Sequence, residues 1–166
     1  MRIAMIGQRG VPATFGGVEH HVEELGARLA ARGHEIIVYT RSNYVAERCD
    51  AYRGMRVRQL PTVKQKHLDA IVHSAISTVS AIADHVDIVH YHAVGPGLPA
   101  FIPRYLSRAK VVLTVHGLDA EREKWGRGAK SALQLATWLS ARVPDATIVV
   151  SRSLAEHYAE RYRRPT

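Results

Sequence analysis

Short apolar runs alternate along this chain with stretches of helical periodicity. Several of the runs are continuous valine and isoleucine segments, which are typical of parallel strands buried on both faces. The runs predict six strands, at 2–6, 35–40, 55–60, 86–92, 110–116 and 146–151. The amphipathic stretches between them predict five helices, at 17–32, 67–84, 97–107, 128–142 and 152–162.

This alternation predicts an α/β fold, a Rossmann-like doubly wound parallel sheet with helices on both faces. A length of 166 residues fits one domain. In sheets of this class, ligands bind beyond the carboxyl ends of the strands. The candidate functional residues are therefore those that directly follow each strand.

Composition narrows the class of protein. Hydrophobic residues make up 46% of the chain and charged residues 23%, as in an ordinary globular protein. Cys49 is the single cysteine, which excludes an internal disulfide and a thiolate zinc cluster and favours a cytoplasmic location. The net charge of +8 indicates an anionic partner, whether phosphate, acidic lipid, acidic glycan or nucleic acid.

The loop after the first strand reads GQRGVPATFGGVE from residue 7 to 19. It matches neither the GxGxxG dinucleotide fingerprint nor the GK[ST] of a P-loop. Gly16 and Gly17 stand at the predicted start of a helix, where free backbone N–H groups and the helix dipole favour an anion. The alternative is that these glycines serve only the backbone angles of the loop.

Histidines follow two of the later strands. His90 and His92 lie on the same side of the strand at 86–92; we expect a buried, hydrogen-bonded role for His90 and ligand contact for His92. His116 ends the next strand and is either a ligand contact or a structural residue. The chain has no HExxH motif, and the neighbouring His20 and His21 diverge on a helix, so no metal site is predicted.

Two basic stretches, 53–67 and 122–130, contain lysines and arginines in excess. Such a stretch is either an ordinary solvated surface or a patch that recruits an anionic acceptor or membrane lipid. The sequence leaves these two interpretations open.

Several motifs together resemble the N-terminal domain of glycosyltransferase family 4, whose members are retaining sugar transferases of the GT-B fold. They are RIAMIG, FGGVEHHVEELGARLAARGHEIIVYT, DIVHYHAVGPG, VVLTVHGLD and ATIVVSRSLAEHY. The versions RGVPATFGGVE, LPTVKQKHLDAIVHS and HGLDAEREKWG are similar to bacterial rhamnosyl- and related hexosyltransferases of surface-polysaccharide assembly.

The resemblance implies metal-independent transfer, with retention, from a nucleotide-sugar donor to a glycan, lipid-linked or small-molecule acceptor. It implies that Gly16 and Gly17 approach the donor diphosphate and the acceptor, and that His116 contacts the transferred sugar as the catalytic residue. Glu19 matches the acidic position of the GGxE motif, and Arg9 faces the acceptor or the phosphates from the same loop.

The resemblance also implies a second, C-terminal Rossmann-like domain that holds most contacts to the nucleotide. The 166 residues would then form a single acceptor-side domain, inactive without that missing C-terminal domain of the same protein. Peripheral association with an anionic membrane is a further expectation. The alternative function is a phosphate- or nucleotide-binding module without transfer activity; nucleic-acid binding rests on charge alone, and no nucleic-acid partner is predicted.

Overall fold

The computed structural model describes residues 1–44, 49–63, 65, 68–117 and 127–166, with side chains for all of these except 127–133. The strands are β1 (Arg2–Ile6), β2 (Glu35–Arg41), β3 (Ala51–Tyr52), β4 (Met55–Leu60), β5 (Ile88–His92), β6 (Lys110–Val115) and β7 (Ala146–Val149). The helices are α1 (Gly17–Ala31), α2 (Asp69–Ala83), α3 (Phe101–Leu106), α4 (Arg127–Arg142) and α5 (Arg152–Tyr162), with a short 3-10 helix at Leu98–Ala100.

The seven strands form one sheet in the order β3-β4-β2-β1-β5-β6-β7. All pairs are parallel except β3 with β4. The order reverses at β1, since β2 lies on one side of it and β5 on the other. This is the doubly wound arrangement that the sequence predicts, and its crevice lies at the carboxyl ends of β1 and β5.

Alternating residues of β1 divide the core between the two faces of the sheet. Ala4 and Ile6 belong to a core that includes Ala81 of α2. Ile3 and Met5 belong to the core on the other face, which Val22 of α1 completes. Strand residues point alternately to the two faces, so helices cover both sides, and this places the start of α1 over the carboxyl end of β1.

Two details differ from the sequence prediction. The helix predicted at 97–107 is divided into the 3-10 helix and α3, because Pro99 and Pro103 lack the amide hydrogens of regular helical bonding. The short strand β3 was not predicted; it pairs with β4 through a turn at Arg53 and Gly54, both of which have positive φ. Within the described residues, every helix is too short or too polar to span a bilayer.

Candidate functional site

Gly7 allows the first loop to leave β1 close to the end of β5. Its φ is +119°, and a Cβ at this position would overlap the main-chain oxygen of His92 and lie 2.9 Å from Cβ of Pro96. Only glycine combines that backbone angle with so close an approach. The loop therefore starts in direct contact with the end of the neighbouring strand.

Two carboxylates of α1 fix the backbone of the first loop, residues 7–16. Glu19 accepts a hydrogen bond from the Arg9 amide at 3.2 Å, and Glu23, one helical turn later, accepts one from the Ala13 amide at 2.7 Å. The oxygen of Arg9 accepts a further bond from the Arg41 amide at 2.8 Å. The loop is thus tied both to α1 and to the end of β2.

The two glycines at the start of α1 have different surroundings. Gly16 is the N-cap residue with φ 99° and ψ 130°, and a Cβ on it would overlap the Glu19 carboxylate. A Cβ on Gly17 would meet no heavy atom of the described residues within 4 Å. No side chain in the described part of the chain caps this helix. The side of the helix N-terminus at Gly17 is therefore open, while Glu19 occupies the side at Gly16.

Four histidines form a continuous group at the same edge of the sheet. The ring centroids of His90 and His92 are 4.2 Å apart, and His92 lies 5.5 Å from His21 and 5.9 Å from His116. His21 and His116 meet edge to face at 4.9 Å. His90 is buried and its Nε2 lies 2.8 Å from the Thr114 hydroxyl, which confirms the structural role expected for it.

Burial lowers the pKa of every histidine in this group. It lowers the pKa of His90 to about 3 and that of His116 to about 4, with smaller effects from neighbouring imidazoles. The negative charge of Glu19 raises the pKa of His116, but by less than burial lowers it. The pKa of the fully buried His92 lies well below its usual value, and burial also lowers the pKa of His21. The four rings are consequently neutral at physiological pH.

Two arginines bring positive charge to the site: Arg9 in the first loop and Arg41 at the end of β2. Arg41 is nearly buried, and its Nη1 donates to Asp69 at 2.7 Å; burial lowers the pKa of the guanidinium. The Arg9 guanidinium lies 5.7 Å from the ring centroid of Phe15. A polar cleft of about 250 Å³ lies beside these groups, lined by Arg9, Arg41, Asn43, Tyr44 and Asp69.

The structure brings the predicted site residues to one edge of the sheet. Gly16, Glu19 and Arg9 are in contact through the Glu19 carboxylate, Gly17 follows directly, and His92 and His116 lie in the histidine group. His92 is completely buried, and its ring packs between the other histidines and Met5, where Nε2 lies 3.4 Å from Sδ. Its contact with a ligand stays a prediction.

Sequence reasoning missed the roles of His21 and Arg41. His20 and His21 do diverge, since His20 is exposed, but His21 turns towards the ends of β5 and β6. His21 lies three residues after Val18, which places it on the sheet-facing side of α1. This spacing in the sequence could have indicated that His21 faces the site. Arg41 directly follows the strand predicted at 35–40, so its position was the available signal.

The three described arginines of the basic stretch 53–67 form ion pairs within the fold. Arg53 pairs with Glu23 and Glu24, Arg56 with Glu35, and Arg58 with Asp84. Lys64, Lys66 and His67 lie outside the described residues, as do residues 122–126 and the side chains of 127–130 in the second basic stretch. The three described arginines therefore contribute less free positive charge than the composition suggests.

Comparisons with known proteins agree with this architecture. The family model described as Glycosyltransferase Family 4 matches residues 15–166. The chain is 27% identical to the glycogen synthase of Mycobacterium tuberculosis over 187 aligned positions, which cover 96% of this chain and 44% of that protein, in strains CDC 1551 / Oshkosh and H37Rv alike.

Solved structures show the same fold. Sucrose-phosphate synthase from Thermosynechococcus elongatus matches with a TM-score of 0.77 and 19% identity, over 98% of this chain and 45% of that one. The catalytic domain of starch synthase IV from Arabidopsis thaliana, bound to ADP and acarbose, matches with a TM-score of 0.53 and 17% identity, over 71% and 34% of the two chains. The chain spans less than half the length of these relatives.

Proposed function

Since the chain belongs to Glycosyltransferase Family 4, we propose that it forms the acceptor-side, N-terminal half of a retaining, metal-independent glycosyltransferase. The donor is a nucleotide sugar, and the acceptor is a glycan, a lipid-linked molecule or a small molecule. One observation carries the proposal: the half-buried His116, whose Nε2 has no hydrogen-bond partner among the described residues, lies at the same sheet edge as the uncapped start of α1.

The start of α1 interacts with the departing diphosphate in this proposal. When the bond between the sugar and the diphosphate breaks, the electron pair leaves with the phosphate oxygen, and negative charge increases there. Backbone N–H groups fixed in advance stabilise such charge without reorganising. Gly17 offers the open approach, because within the described part of the chain no side chain occupies the direction in which its Cβ would point. Glu19 keeps the loop in place and leaves that side of the helix free.

His116 forms a neutral hydrogen bond with the transferred sugar. Burial keeps its pKa at about 4, so the imidazole carries no charge that would oppose an oxocarbenium-like transition state. Its unpartnered Nε2 is free to bind a sugar hydroxyl. A buried polar atom without a partner costs stability, and a hydroxyl at this position would satisfy it.

The cleft between Arg9 and Arg41 receives the acceptor. Arg41 is held by Asp69, while the exposed Arg9 guanidinium lies next to Phe15. Cations, hydroxyl groups and an aromatic ring together suit an anionic or hydroxyl-rich acceptor such as a glycan or a lipid-linked sugar phosphate. Rhamnosyl or related hexosyl transfer in surface-polysaccharide assembly is the finer form of this proposal, and it rests on the RGVPATFGGVE motif.

A second domain of the same protein supplies the remaining contacts to the nucleotide. The relatives are more than twice as long as the part of them that this chain matches, which supports a two-domain arrangement. We propose that the 166 residues alone are inactive. Association with an anionic membrane stays a prediction for the basic stretches, and the ion pairs of Arg53, Arg56 and Arg58 weaken its basis.

The test uses the full-length protein with a panel of nucleotide sugars and detection of the glycosylated product by mass spectrometry. We expect transfer without added metal, in the presence of a chelator, and a loss of at least about a hundredfold in kcat for His116→Ala, comparable to the loss of one transition-state donor. His20→Ala is the matched control, because His20 is exposed on the same helix that carries His21. Full activity of His116→Ala would contradict the proposed role.

Measuring the binding of a nucleoside diphosphate to the 166-residue chain distinguishes the proposed transferase from the alternative, a phosphate-binding module. The proposal predicts weak binding or none, because the main nucleotide contacts lie in the second domain. Tight binding by this chain, together with no transfer by the full-length protein, would identify a phosphate-binding module instead.

A further inference from the structure

Three histidines from three separate elements converge on one point. One ring nitrogen from each of His21, His92 and His116 lies within 4.8 Å of the others. His21 comes from α1, His92 from the end of β5, and His116 directly follows β6. The convergence is therefore produced by the tertiary fold, and no local sequence motif encodes it.

Each of these three rings also has a buried nitrogen without a partner. These atoms are Nε2 of His21, Nδ1 of His92 and Nε2 of His116, and none of them forms a hydrogen bond within the described residues. Buried polar atoms in folded proteins are nearly always satisfied. One common partner that accepts lone pairs would satisfy all three of these clustered imidazole nitrogens.

The geometry suits a small transition-metal ion. Zinc binds imidazole nitrogen at about 2.0–2.1 Å with tetrahedral angles, which places ligand atoms about 3.3 Å apart. The three nitrogens lie within 4.8 Å of one another, so metal binding requires their separations to shorten by at most roughly 1.5 Å. Imidazole nitrogen favours zinc, copper, nickel and iron over magnesium and calcium. The rings are also neutral, which is the protonation state that binds metal.

We propose that His21, His92 and His116 form a binding site for one divalent transition-metal ion of the zinc class. The three imidazoles supply three ligands, and a tetrahedral ion has one further position, which water fills. Met5 packs against the opposite nitrogen of His92 and helps to fix the orientation of that ring. The site is not needed for the proposed sugar transfer.

Occupancy has a regulatory consequence, and this consequence rests on the proposed function. A metal ion bound to Nε2 of His116 takes the lone pair that the transferred sugar would otherwise contact. Zinc-class ions therefore inhibit transfer by the full-length protein, and a chelator restores it. The binding site itself is tested without any sugar, so failure of the transfer proposal leaves the metal measurement interpretable.

The experiment measures Zn²⁺ binding to the 166-residue chain, prepared without a polyhistidine tag, by competition with a chromophoric chelator. Co²⁺ absorption reports the coordination geometry of the same site. We expect one equivalent of metal and a tetrahedral Co²⁺ spectrum. His21→Ala and His116→Ala should each lower the metal affinity at least about tenfold. Mutating a residue that only hydrogen-bonds to a metal ligand already has an effect of that size, and losing the ligand itself should cost no less.

Matched variants keep the proposal falsifiable. His20→Ala removes an exposed histidine next to His21 in the same helix, and we expect it to keep the affinity and the Co²⁺ spectrum. Circular dichroism checks that each variant folds, and the half-buried His21 and His116 are preferred to the fully buried His92 for this reason. The proposal is overturned by an octahedral Co²⁺ spectrum, by unchanged affinity in both His21→Ala and His116→Ala, or by no stoichiometric binding.

Discussion

Gly16 and Gly17 are adjacent, yet an alanine at each position meets a different environment. At Gly16 the backbone has a positive φ, and the new methyl group overlaps the Glu19 carboxylate. At Gly17, the first residue of α1, the methyl group meets no atom of residues 1–44, 49–63, 65, 68–117 or 127–166. We therefore expect Gly16→Ala to destabilise the chain and Gly17→Ala to leave it folded while obstructing the approach of a diphosphate.

The magnitudes follow from the local contacts. A non-glycine residue in this sparsely populated backbone region costs about 1–3 kcal/mol. Moving Glu19 away from the Arg9 amide loses a hydrogen bond to a charged group, which contributes about 1.5 kcal/mol or more. Gly16→Ala should therefore lower the free energy of unfolding by about 3 kcal/mol. Gly17→Ala restricts the unfolded chain and should raise it by about 0.4–1 kcal/mol.

Urea denaturation followed by circular dichroism measures both effects in the 166-residue chain. With a slope near 2 kcal/mol per molar, Gly16→Ala lowers the urea midpoint by about 1.5 M. In the full-length protein, Gly17→Ala should reduce kcat/KM for the nucleotide sugar even though it does not lower stability. A Gly17→Ala protein that is stable and fully active would show that the diphosphate does not approach this glycine, and a stable Gly16→Ala protein would refute the steric reasoning.

Three further changes test the packing and the charges around the site. Gly26→Ala places a methyl group against Sδ of Met55 and should lower the free energy of unfolding by about 1–3 kcal/mol, less in a Met55→Ala background; equal losses in both would contradict this contact. His73 is fully buried and its pKa is lowered to about 4, so the unfolded chain binds its proton first on acidification. Stability should fall between pH 6.5 and 4 by up to about 3 kcal/mol from this group, and acid titration of His73→Leu should show a smaller decrease. Arg41→Met should destabilise by about 2–3 kcal/mol because Asp69 loses its partner, and a double-mutant cycle with Asp69→Asn should recover part of that loss; additive effects would show that the pair is uncoupled.

The centre of the sheet could be predicted from the sequence because β1, β2, β5 and β6 are largely buried on both faces. Continuous apolar runs such as those of β2 and β6 are typical of parallel strands in the middle of a sheet. All six predicted strands are present. The two-residue β3 lacked such a run. Its signal was the Arg53–Gly54 turn, in which both residues adopt positive φ.

The positions of the candidate residues in the fold could be predicted where they directly follow a strand or start a helix; their roles in binding and catalysis stay predictions. Gly16, Gly17 and His116 occupy such positions, so the topology alone places them at the crevice. The meeting of His21 with His92 and His116 depends on how α1 packs across the sheet. The neutralisation of Arg53, Arg56 and Arg58 also depends on acidic residues brought together from distant parts of the chain.

The carboxylates that tie the first loop to α1 affect the thermodynamics of binding. Ordering the backbone of a free loop costs about 1–2 kcal/mol per residue. In this chain the amides of Arg9 and Ala13 are already bonded to Glu19 and Glu23 before any ligand is present. The first loop is therefore preorganised before a ligand binds. The affinity of the ligand is not reduced by the entropy of ordering this loop. Glu23→Ala removes the acceptor of the Ala13 amide, so calorimetry should show ligand association that is entropically less favourable than in the unchanged chain.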